Sequence, residues 1–145
     1  MTSGRTLASL GAGALLAAIQ LVPYGRAHDN PPVVQEPRWD RPETRALAVR
    51  ACFDCHSNET RWPWYAHVAP ASWLVQRDVD EGREALNFSE WQRAYKDAGE
   101  SADTVNEGEM PLQTYVLVHP SARLSLAERR ALAQGLTATL GTDHE

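Results

Sequence analysis

Cysteine is scarce in this chain: two among 145 residues, Cys52 and Cys55. A structural zinc site is usually built from two ligand pairs. No second Cys-x-x-Cys and no His-x-x-x-His is present to complete one, which leaves only a zinc site assembled from Cys52, Cys55 and two scattered histidines. A basic stripe is also missing. The formal charge is −5 and the isoelectric point about 5.5, a balance that argues against a nucleic-acid partner. An acidic exterior suits docking on a basic redox partner protein, and equally suits plain solubility. Repeats and low-complexity tracts are absent, and so is charge from residues 6–25, where 7–22 are dominated by Leu, Ala, Ile and Val behind Arg5.

That uncharged stretch has two membrane readings. It is either a cleaved signal peptide, with Gly25-Arg26-Ala27 as a small-x-small site, or an uncleaved anchor whose cytoplasmic flank is Arg5. Its length suffices to span a bilayer, and the anchor is the reading adopted. A buried helix of a soluble domain fits less well, because the run is apolar on every side and not along one stripe. Both membrane readings export the remainder, to the periplasmic side of a bacterial cytoplasmic membrane.

What is present centres on Cys52-Phe53-Asp54-Cys55-His56. Cys-x-x-Cys-His is the pattern of c-type haem attachment. Residues three and four apart share a face of a helical turn, so both thiols reach the two haem vinyl groups from one side. His56 follows four residues after Cys52, where its imidazole serves as the proximal iron ligand. Phe53 and Asp54 are read as free spacers. A thioredoxin-like redox pair would follow a β-strand, whereas the residues before Cys55 carry a helical pattern.

A second axial ligand decides between electron transfer and ligand chemistry. The methionines are Met1 and Met110, and only Met110 lies in the exported part, within Gly108-Glu109-Met110-Pro111. Gly108 permits close backbone approach, and Pro111 keeps the following chain from folding back as a helix. A thioether suits reduced iron and raises its potential. The ordinary role of a methionine is core filler. His119, ahead of Pro120, is expected to stabilise a turn. His67 is placed near a propionate or in solvent, and His28 and His144 are expected to be exposed.

Trp62, Trp64, Tyr65 and Trp73 are expected either along the haem edge, excluding water from the iron, or simply in the core. Arg61 is the nearest cation for a propionate, or an exposed loop arginine. Asn58-Glu59-Thr60 and Asn87-Phe88-Ser89 match the glycosylation sequon and are discounted as chance matches beside helix ends.

Hydrophobic periodicity predicts an all-α domain. Residues 1–27 form the signal-anchor, 28–43 a proline-rich linker, and 44–141 the haem-binding domain. Helices are expected over 44–55, from a Ser72 cap to Leu86, from a Ser89 cap to about Gly99, and from the Ser125-Leu126-Ala127-Glu128 capping box to Gly141. In the second of these, Asp78, Asp80, Glu81 and Arg83 are assigned to the wet side. Residues 57–70 read as an aromatic loop, and the acidic stretch 100–109 has room for a short helix.

The chain resembles the bacterial haem-binding domain family of small, exported, single-haem cytochrome-like proteins. The resemblance rests on Cys52 through Asn58, on Thr60-Arg61-Trp62-Pro63-Trp64-Tyr65, on Pro70 with Trp73, and on Leu86-Asn87-Phe88-Ser89-Glu90-Trp91. It continues through Gly108-Glu109-Met110-Pro111, Tyr115, His119-Pro120 and Leu124-Ser125 with Glu128. It implies a haem c bound covalently to Cys52 and Cys55, His56 as proximal and Met110 as distal ligand, and a helical fold similar to cytochrome c behind an N-terminal membrane segment. A one-electron carrier is therefore expected, not a catalyst. The alternatives are a haem sensor or peroxidase-like protein with a displaceable Met110, and a thiol oxidoreductase without haem.

Overall fold

Seven helices follow one another in the computed structural model, which describes residues 3–96 and 98–141. They are α1 (Ser3–Ile19), α2 (Pro42–Ala51), α3 (Phe53–His56), α4 (Ala71–Ala85), α5 (Ser101–Glu107), α6 (Gln113–Val118) and α7 (Leu126–Leu140). Among the described residues the only β pairing is one isolated parallel bridge between Gln35 and Glu90, so the chain is all-α as expected. Met1 and His144 lie outside the described residues. The chain divides into two compact units, Met1–Asp29 with Trp62–Asp78, and Asn30–Arg61 with Val79–Glu145.

In the first unit, α1 leaves Leu10, Leu15 and Leu16 exposed. Its 17 residues cover about 25 Å at 1.5 Å per residue, less than a hydrocarbon core of about 30 Å. No helix among the described residues is long and apolar enough to cross a membrane, so the expected spanning anchor finds no support here. Just after α1, the Gln20 amide clamps the Ala69 peptide, donating to its carbonyl at 2.9 Å and accepting from its N–H at 3.0 Å. The loop before α4 holds only a single 3-10 turn, Trp64–His67, consistent with its two prolines. His28 was expected to be exposed and is not. Its Nε2 lies 2.9 Å from the Ala66 carbonyl, and its ring packs on Trp62 at 4.6 Å and edge-on to His67 at 4.4 Å.

The second unit is built around α7. Ser125 and Glu128 form the expected capping box, Glu128 N–H donating to Ser125 Oγ at 3.2 Å and Ser125 N–H to Glu128 Oε2 at 2.8 Å. Leu132, Leu136 and Leu140 then recur on its buried face. α2 and α5 both pack on this helix. Pro42 opens α2 without loss, because a first-turn N–H has no helical partner. Beside this layer an aromatic cluster of Trp39, Phe53, Phe88, Trp91 and Tyr95 runs in successive ring contacts between 5.1 and 6.4 Å.

Several expectations are corrected. Phe53 is no spacer; it is buried between Phe88 and the Arg45 guanidinium. No helix starts at Ser89. Its carbonyl accepts from Val34 and Gln35 N–H at 2.9 and 3.1 Å, and Trp91 N–H donates to the Gln35 carbonyl at 2.9 Å. That pairing uses the backbone groups a helix would need. The same bonds tie residues 34 and 35, expected as linker, into the second unit, and Trp39 packs against its core. Arg83, assigned to the wet face, turns inward, donating from Nε to the Ser57 carbonyl at 2.8 Å and from Nη2 to Thr60 Oγ1 at 3.0 Å. Finally, α6 forms only two residues after Pro111, since proline restricts the residues before it and leaves those after it free to become helical.

Candidate functional site

The Cys-x-x-Cys-His motif is one helical turn offset from α2. The helix breaks at Cys52 (φ −123°, ψ −35°), whose own N–H still donates to the Ala48 carbonyl at 2.7 Å. Cys52 carbonyl then accepts from Cys55 N–H at 3.1 Å and His56 N–H at 2.8 Å, closing the turn that is α3. Cys52, Cys55 and His56 therefore lie on one short turn. α4 comes close behind the turn: a Cβ on Gly82 would stand 2.6 Å from the Cys55 carbonyl oxygen, so only glycine admits this approach.

The imidazole of His56 is fixed by a hydrogen bond. Its Nδ1 lies 3.0 Å from the Leu86 carbonyl. A carbonyl only accepts, so Nδ1 carries the proton and Nε2 of the neutral ring keeps its lone pair for a metal. Burial lowers the ring's pKa, against hydrogen bonds to the Leu86 and Gly82 carbonyls that raise it, and so favours that neutral form. A backbone partner on the second nitrogen is the usual companion of a metal-bound histidine.

Cys52 and His56 line an apolar cavity of the second unit. Ala51 closes it beside them, Ala85, Leu86 and Phe88 contribute from the end of α4, and Glu100, Ser101, Thr104 and Val105 from the approach to α5 and its first turns. Leu136 of α7 forms part of the wall. Met110 and Pro111 line the same cavity. The motif and the methionine, 54 positions apart in the chain, thus meet in one space. Met110 is brought there by the end of α5, where Gly108 takes a left-handed conformation (φ 84°) and lets Gly108, Glu109 and Met110 N–H groups turn back on the Val105 and Thr104 carbonyls at 3.1 to 3.3 Å.

Cys55 is half-buried and is not among the cavity's lining residues. Burial, reinforced by neighbouring Cys55, pushes the Cys52 thiol up to about 12. A nucleophilic redox thiol needs the opposite shift. No cluster of three or more His, Cys, Asp or Glu side chains able to hold a metal ion occurs among the described residues.

Asp54, read as a spacer, is a buried carboxylate with a full set of donors. Arg61 donates its backbone N–H and Nε to Oδ1 at 3.1 and 3.0 Å and Nη2 to Oδ2 at 3.2 Å. Tyr115 donates its hydroxyl to Oδ2 at 2.5 Å. The Arg61 charge is therefore committed to Asp54. Burial and the adjoining carboxylate push the Tyr115 hydroxyl well above the usual phenol range, so it stays a donor. Beyond Tyr115, the His119 ring stacks at 4.1 Å and its Nδ1 lies 3.1 Å from the Tyr115 carbonyl, a turn-stabilising role as expected.

Trp62, Trp64, Tyr65 and Trp73 belong to the first unit. Trp64 is 79 % exposed and meets the Tyr65 ring edge-on, so it is not a core residue. Trp62 and Trp73 are half-buried, and their indole nitrogens are buried without a hydrogen-bond partner. The second unit's cavity has none of the four among its lining residues.

A comparison with protein families matches the haem-binding domain over residues 14–138, most of the chain. The chain belongs to the haem-binding domain family. Haem is thus its cofactor, and a half-buried imidazole with its proton on Nδ1, lining an apolar cavity with a thioether on the same walls, is a donor set that fits it. No curated protein and no solved structure matches this haem-binding chain.

Proposed function

We propose that this haem-binding protein is a small c-type, cytochrome-like electron carrier, with haem held by thioether bonds to Cys52 and Cys55 and by iron ligation from His56 and Met110. The single observation that carries the reading is that His56, with its proton on Nδ1, and Met110 line one apolar cavity together with Cys52. Haem bound there supplies a one-electron Fe(III)/Fe(II) couple. The chain's own residues do the rest. Cys52 and Cys55 would hold the haem as thioethers, each S–H adding across a vinyl double bond with its proton going to the neighbouring carbon, so that no oxidant would be consumed. Leu86 carbonyl orients the imidazole, and Leu86, Phe88, Val105 and Leu136, which line the cavity, would exclude water from the metal and so tune its potential.

With His56 and Met110 both holding the iron, only an electron would be exchanged and no substrate site would be needed. The donor and acceptor are redox proteins, and the net charge of −5 favours a basic docking face on them. The uncharged N-terminal segment acts as the export leader that delivers the chain to the periplasm, where the haem is attached. Intact-mass measurement of the mature protein tests that step: a chain starting at His28 means cleavage, and one retaining α1 means that the leader stays attached.

Optical spectra of the purified, haem-loaded protein test the function. A low-spin, six-coordinate iron that becomes high-spin in Met110→Ala and is unchanged in His119→Ala is the expected result. A wild-type iron that is five-coordinate and binds carbon monoxide readily would make the protein a haem sensor or peroxidase-like protein instead.

A further inference from the structure

The two Asn-x-Ser/Thr matches, Asn58-Glu59-Thr60 and Asn87-Phe88-Ser89, are not surface sequons: Asn58, Asn87 and Ser89 are all buried, at 3 %, 2 % and 0 % exposure. They face one another. Asn87 Nδ2 donates to Asn58 Oδ1 at 2.8 Å, Asn58 N–H donates to Ser89 Oγ at 2.9 Å, and Ser89 N–H closes back on Asn87 Oδ1 at 2.9 Å. The remaining amide hydrogens of Asn58 are used as well, on the Pro32 carbonyl at 3.0 Å and Glu90 Oε1 at 3.1 Å.

This network sits directly behind the histidine. Residues 56–58 and 86–89 are stitched by four hydrogen bonds: the Asn87–Asn58 and Asn58–Ser89 contacts, Phe88 N–H to the His56 carbonyl at 2.8 Å, and His56 Nδ1–H to the Leu86 carbonyl at 3.0 Å. The last is the bond that holds the imidazole. The Leu86 carbonyl belongs to the peptide that ends at Asn87, so whatever fixes Asn87 fixes the acceptor. An apolar pair would bury the same area and leave that turn free to rotate. A buried, interlinked amide network instead specifies one geometry.

We propose that Asn58, Asn87 and Ser89 are positioning residues for the proximal histidine, holding the Leu86 carbonyl against His56 Nδ1 and through it setting the reduction potential of the haem iron. The inference rests on the reading of His56 as iron ligand. A strong Nδ1–H bond raises the basicity of the ligating nitrogen and stabilises ferric iron. Loosening the lock therefore raises the potential.

The test compares haem-loaded wild-type protein with Asn87→Ala and Ser89→Ala by redox titration and by NMR exchange of the His56 Nδ1 proton in the ferrous state. Asn87→Ala is expected to raise the potential and to speed that exchange about tenfold or more, as for loss of protection at one hydrogen bond. Ser89→Ala, which spares the Asn58–Asn87 contact, is expected to shift both in the same direction by less, and it decides the matter if Asn87→Ala does not fold. Haem-loaded variants with wild-type potential and wild-type exchange would overturn the lock. A His56→Ala protein that keeps the wild-type low-spin spectrum would instead remove the ligand assignment beneath it.

Discussion

Replacing Gly82 by alanine tests how tightly α4 is seated on the attachment turn. The new Cβ would stand 2.6 Å from the Cys55 carbonyl oxygen, and reaching ordinary contact at 3.4 Å moves α4 back by about 0.8 Å. Leu86 N–H is bonded to the Gly82 carbonyl at 2.9 Å, so the end of the helix is carried along. The His56 Nδ1 to Leu86 contact, now 3.0 Å, then opens to roughly 3.8 Å, beyond hydrogen-bond range. Overpacking costs about 1–3 kcal/mol and the lost bond about 1, while the better helix propensity of alanine returns about 1. The net loss is ~1–3 kcal/mol, or roughly 5–20 °C in Tm for a domain of this size. Thermal unfolding of the haem-loaded protein, followed by far-ultraviolet circular dichroism and in the Soret band, reads it directly. A Tm equal to or above wild type would refute the tight contact between α4 and the motif.

Other outcomes follow from single features. Phe88→Ala empties the centre of the aromatic cluster, where Phe88 is 1 % exposed, and should cost about 3–5 kcal/mol in urea unfolding. Gly108→Ala forces a left-handed φ of 84° on a residue with a Cβ, costing about 1–2 kcal/mol, and should shift Met110 enough to raise the high-spin fraction of the iron. Glu128 is held down to about 2 by the Ser125 backbone N–H first and by Arg50 next. Its folded-state pKa lies below the ordinary 4.5, so its contribution is complete above pH 4.5 and is lost as pH falls toward 2. Glu128→Gln should therefore flatten the acid limb of the stability curve over that window in pH-dependent melts.

The parts legible in the sequence were those written in local signals. The capping box at Ser125 acts within one turn and takes the expected form, and the residues before Cys55 are helical as their pattern predicts, with a break at Cys52. Met110, expected as the distal ligand, does line the cavity with Cys52 and His56, brought there by the left-handed turn at Gly108 that its glycine signals. What escaped depends on partners far along the chain. Ser89 has the chemistry of a helix cap, yet its hydroxyl serves Asn58 and its carbonyl serves residues 34 and 35. Asp54 looks like a spacer until Tyr115, 61 positions later, arrives to bind it. The two sequon matches carried the one available hint of the buried amide lock, and a buried asparagine cannot be told from a glycosylated one by three residues.

Covalent attachment of haem to Cys52 and Cys55 is what the proposed function requires first. Its most direct test is a denaturing gel, stained for haem peroxidase activity, of protein produced with a cytochrome c maturation system. A stained band at the position of the polypeptide, lost in the Cys52→Ala, Cys55→Ala double variant, is the expected result. A wild-type band that runs without haem would contradict it.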